Sequence, residues 1–107
     1  MDFEKILKEL KESLLQVLGD QYGGFKKETK KDIEDFLNAS KDKLERWTKL
    51  LASGDISMDE YQWLVKSQKD LLAMKGLEKV GISKISLGHF KNKVIKTVVD
   101  IVKGIIF

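Results

Sequence analysis

The chain reads as an all-α protein: a small bundle of about four helices, with a glycine-containing linker before the last. Three observations predict this. Proline, the commonest helix breaker, is absent from all 107 residues. Apolar residues recur at spacings of three and four over most of the length. Charged residues make up 35%, above the roughly 25% of an average domain, which suits helices with wide solvated faces. The length suits one helical domain over 1–107 with a modest core.

The first helix is expected over about 2–18. Phe3, Ile6, Leu7, Leu10, Leu14, Val17 and Leu18 form one apolar stripe, and "GDQYGG" at 19–24 stops it. The second is expected over about 25–52, with Ile33, Phe36, Leu37, Leu44, Trp47 and Leu51 facing inward and Ser40 filling one inward position. Glu28, Asp32 and Asp35 share a face of this helix and read as solvated. A di-iron bundle would need a Glu-x-x-His pattern, which does not occur.

The third helix is expected over about 58–75. Gly54 suits the preceding C-cap, and Ser57 followed by Glu60 is a capping box, in which each side chain satisfies a backbone donor. Tyr61, Leu64, Val65, Leu71 and Leu72 face inward, with Gln68 among them. Trp63 points nearly opposite, with Met74 on its side. Either residues 76–87 fold back over Trp63, or it stays exposed as the kind of aromatic that dominates binding surfaces.

Residues 76–90, "GLEKVGISKISLGHF", carry Gly76, Gly81 and Gly88 among Val80, Ile82, Ile85 and Leu87; a loop packed on the bundle is expected, with a short strand as the alternative, although a lone strand has no sheet to join. The last helix is expected over about 89–106. Val94, Ile95, Val98, Val99, Ile101, Val102, Ile105 and Ile106 fall within an arc of about 160° at 100° per residue. The period is helical, so pattern outweighs the β-propensity of valine and isoleucine. A β-branched helix is weak alone and must pack against something.

Residues 50–72, "LLASGDISMDEYQWLVKSQKDLL", carry a further pattern in Leu51, Gly54, Ile56, Ser57, Glu60, Tyr61, Lys66 and Leu71–Leu72. It resembles the SHOCT motif, a short helical pair. That resemblance implies oligomerisation or binding, and no catalysis. In that family the motif usually sits at a chain's end, whereas here 35 residues follow Leu72.

Composition excludes several chemistries. With no cysteine there is no disulfide, thiolate metal site or cysteine nucleophile. His89 is the sole histidine and reads as a surface residue at a helix start. Phosphate-cradling glycine loops are absent. "GDISMDEY" looks like half an EF-hand loop, but the other half would place Lys49 and Leu51 where oxygen ligands belong. No nucleophile, base and orienting group can be assembled, so neither an enzyme nor a cofactor or metal is expected.

Residues 75–107 hold seven lysines against Glu78 and Asp100, while residues 1–74 carry 13 basic and 15 acidic side chains. The leading expectation is a non-enzymatic interaction module that associates with itself. Its partner-binding residues would be Trp63 and Met74, with Val94, Val98, Ile101 and Ile105 of the last helix. The alternative is a peripheral protein docking that helix on an anionic membrane through Lys91, Lys93, Lys96 and Lys103. Nucleic acid fits less well, because Arg46 is the only arginine and arginine is the usual reader of bases. The N-terminal residues lack the apolar run of a secretory signal, and no stretch of about 18 apolar residues occurs. The expected compartment is the cytoplasm.

Overall fold

Local signals set most helix ends. In the computed structural model, which describes residues 2–107, the Asp2 carboxylate accepts the Glu4 N–H at 3.1 Å and starts α1 (Phe3–Leu18). The long α2 (Lys26–Ser53) ends at Gly54, whose φ of 81° is the left-handed cap conformation that glycine adopts without strain. The expected capping box opens α3 (Met58–Lys66). Ser57 Oγ accepts the Glu60 N–H, and Glu60 Oε1 accepts the Ser57 N–H, both at 3.1 Å.

The chain then departs from the sequence reading. The third helix stops at Lys66 instead of running to 75, and a 3₁₀ turn (Ser67–Leu71) follows. Leu72 is buried, but Leu71 turns outward and Leu64 is only half-buried. The expected loop over 76–90 is largely helical. It holds a short α4 (Lys75–Lys79) and the start of α5 (Lys84–Ile106), five residues earlier than expected. Ser83 supplies the cap for α5, its Oγ accepting the Ser86 N–H at 3.1 Å. His89 therefore lies inside α5, on its exposed face.

Asp32 also departs from its expected place on a solvated face. It is only 5% exposed, and its two carboxylate oxygens accept the N–H groups of Gly76 (2.9 Å) and Leu77 (2.8 Å). These are first-turn donors of α4 that have no partner within their own helix. A Cβ on Gly76 would stand 2.9 Å from Asp32 Oδ1, so the close approach requires glycine. Met74, just before α4, has φ 50° in the left-handed region, which costs a non-glycine residue on the order of 1 kcal/mol.

Topology follows from cross-helix contacts. Lys11 pairs with Glu34 at 3.0 Å and Glu4 with Lys41 at 2.6 Å, so α1 and α2 run antiparallel. The Tyr22 hydroxyl lies 2.9 Å from Ser86 Oγ, and its ring packs edge-on against Phe90 at 5.1 Å. That places the end of α1 beside the start of α5, which runs back along α1 and parallel to α2. After the tight Gly54–Ser57 turn, α3 returns along α2, with Thr48 Oγ1 and the Tyr61 hydroxyl 3.0 Å apart. Consequently α3 and α5 are antiparallel neighbours. The 28 residues of α2 span about 42 Å at 1.5 Å each, the full long dimension of the 42 × 23 × 19 Å molecule.

Every α-helix feeds one core. Val94, Val98 and Val102 of α5 are fully enclosed, as are Leu14, Ile33, Leu44 and Tyr61. Each buried valine contributes about 1.5–3 kcal/mol, more than the roughly 0.5 kcal/mol that its poor helix propensity costs. Packing therefore makes this stretch a helix. Burial also pushes the Tyr61 hydroxyl up to about 12, while its hydrogen bond to Thr48 pulls the other way. Val17 is the exception on α1: it continues the apolar stripe but is exposed near the helix end.

Candidate partner-binding surface

The interaction residues expected from sequence divide into two groups. Met74, Val94 and Val98 lie inside the chain's own core, at 2%, 0% and 0% exposure, and offer nothing to a partner. For the valines, the apolar arc of α5 is met by α1, α3 and α4 of the same chain. For Met74, the left-handed backbone turns the side chain inward, away from the side on which a continuous helix would place it. Ile101 and Ile105 are half-buried against the core.

Trp63 is the opposite case. It is 72% exposed, and neither α4 nor the following turn covers it. It shares a shallow apolar hollow on α3 with Leu64, rimmed by Asp59 and Glu60. The capping box explains this placement. It fixes where α3 begins, and Tyr61 and Val65 then take the core side, so Trp63 must face out. Glu60 is held by its own cap, which leaves Asp59 as the available anionic group one turn from Trp63.

Beside this hollow an open groove separates α3 from α5, with Gln62 and Lys66 on one bank and Asn92, Ile95, Lys96 and Val99 on the other. The exposed stripe of α5 continues from Lys96 through Lys103 to Phe107, which is 76% exposed. Of the four lysines expected on an anionic surface, Lys93, Lys96 and Lys103 are exposed and Lys91 is half-buried. Lys93 Nζ donates to Gln21 Oε1 at 3.2 Å. The apolar arc behind these lysines is filled by the core, so α5 would have to leave the bundle to insert it into a bilayer. Among the described residues, no helix is long and apolar enough to cross a membrane, and no three His, Asp or Glu side chains are grouped to hold a metal ion.

Sequence reasoning finds Trp63 from its helical phase alone. It misses Phe107 as a surface residue, although the phase of Lys96 and Lys103, eleven and four residues earlier, carries that signal. No protein-family model, curated protein or solved structure matches this chain.

Proposed function

We propose that this chain is a non-enzymatic interaction module that associates with itself, and that Trp63 is the centre of its contact surface. The supporting observation is a tryptophan 72% exposed on a well-capped helix, beside the half-buried Leu64. Leaving so large an apolar ring in water forfeits burial energy, and tryptophan is among the residue types most enriched at binding hot spots. The SHOCT-like pattern over 50–72 agrees with a binding role, since its aromatic position, Tyr61, belongs to the core and leaves Trp63 free.

Sedimentation across a concentration series is the test. The wild-type mass should rise with concentration, while Trp63→Ala should stay monomeric with unchanged helix content and unfolding midpoint. A wild type that remains a monomer up to about 1 mM, a dissociation constant too weak for a specific dimer, sinks this reading.

A further inference from the structure

We infer that the partner is a second copy docked through a two-fold axis, with Trp63 and Asp59 of α3 in one copy meeting Phe107, the residue that caps α5, and Lys103 of α5 in the other. The inference rests on the self-association reading and adds the identity of both faces. It stands on charge complementarity and on helix direction.

On α3, Asp59 stands four residues before Trp63; at the end of α5, Lys103 stands four residues before the C-cap residue Phe107, whose N–H donates to the Lys103 carbonyl at 2.9 Å and so keeps the helical phase. Four residues on a helix is one step along the same face, about 6 Å. The two helices thus carry the same spacing with opposite charge: an anion then an aromatic, and a cation then an aromatic. Asp59, Trp63, Lys103 and Phe107 are all exposed. Among the described residues, no ion pair uses Asp59 or Lys103.

For both pairs to meet at once, α3 of one copy must run parallel to α5 of the other. Within one copy the two helices are antiparallel. A two-fold axis perpendicular to the bundle reverses helix direction between copies, so α3 becomes parallel to the second copy's α5. The same axis that brings Trp63 level with Phe107 of the other copy brings Asp59 level with its Lys103. An isologous interface repeats each contact, giving two aromatic pairs and two ion pairs across closed symmetry. A head-to-tail arrangement would use one set per junction and grow open chains.

Charge reversal with complementation tests this on the full chain. Asp59→Lys alone sets two lysines against each other at both ends of the interface, and Lys103→Glu alone does the same with two acids. Each should weaken self-association by about tenfold or more at low salt, with the difference shrinking near 0.5 M salt. Mixed one to one, the two variants can form a dimer in which every facing pair is again opposite in charge. The lysine introduced into one copy meets the glutamate introduced into the other, and the unaltered Asp59 meets the unaltered Lys103. This mixed dimer should form at near wild-type affinity, and that recovery also shows that both variants are folded. If the wild type self-associates and Trp63→Ala abolishes it, yet both reversals bind like wild type, Trp63 docks elsewhere and the inference is overturned while the proposed function stands. If both reversals weaken association but the mixture does not recover, the pairing of α3 with α5 is wrong. A monomeric wild type overturns both.

Discussion

At the residue scale, Asp32 carries more of the structure than its appearance in the sequence suggests. A buried carboxylate that accepts two backbone N–H groups makes the stronger class of hydrogen bond, about 1.5–3 kcal/mol each before the cost of leaving donors unpaired. Asp32→Ala should therefore destabilise the protein by roughly 2–4 kcal/mol in chemical denaturation, against under about 1 kcal/mol for exposed Asp35→Ala. Gly76→Ala should act in the same direction, since its Cβ would displace that carboxylate. Tyr61 gives a pH signature. Its hydroxyl titrates at about 12 in the folded state and near 10 when unfolded. The neutral form is favoured by folding, so this stability is complete below pH 10 and is lost as pH rises toward 12. The loss amounts to about 2–3 kcal/mol. Unfolding curves of wild type and Tyr61→Phe should converge or cross over that window; parallel curves would remove the assignment. Asp32 and Met74 are illegible in the sequence for related reasons. The first is defined by where the chain returns after more than 40 residues, the second by a left-handed backbone turn, and neither leaves a periodic trace.

At the scale of elements, the helices that follow a long apolar period are legible and the short ones are not. The stripes of α1, α2 and α5 run over many turns, and the capping box marks the start of α3 to the residue. Helix α4 has five residues and one buried apolar side chain, Leu77, too little for any pattern. It exists because Asp32 supplies the donors' partner from α2. The amphipathic arc of the last helix is plain in the sequence. Periodicity does not say whether such an arc meets its own chain or another, and here it meets its own. Val98→Asp should unfold the protein, because a charge placed at 0% exposure has no partner. Loss of the helical circular-dichroism signal is the check. Ser57→Ala should cost about 1 kcal/mol by removing one arm of the capping box, and should leave self-association of the folded fraction intact.

At the scale of the whole molecule, exposed apolar residues are scattered except near α3 and the end of α5. Val17, Leu71, Val80 and Ile85 stand apart from that face along the sequence, and single exposed apolar residues are ordinary on protein surfaces. Of the seven lysines of residues 75–107, Lys84, Lys93, Lys96 and Lys103 are exposed on α5, so association through that helix should depend on salt. If Lys103 takes part, raising salt from low values to about 0.5 M should shift the wild-type equilibrium toward monomer, because screening shortens the reach of exposed charges to a few Å. Trp63→Phe should retain most of the association and Trp63→Lys should abolish it, which separates the contribution of the ring from that of mere occupancy.

The Asp32 cap has one more result. Amides in the opening turn of a one-turn helix normally trade their protons with solvent almost at once. Those of Gly76 and Leu77 are instead held by a side chain that arrives from 44 and 45 positions earlier. Their isotope uptake therefore clocks the undocking of α4 from α2, and two backbone signals record a long-range closure that no probe need be attached to follow.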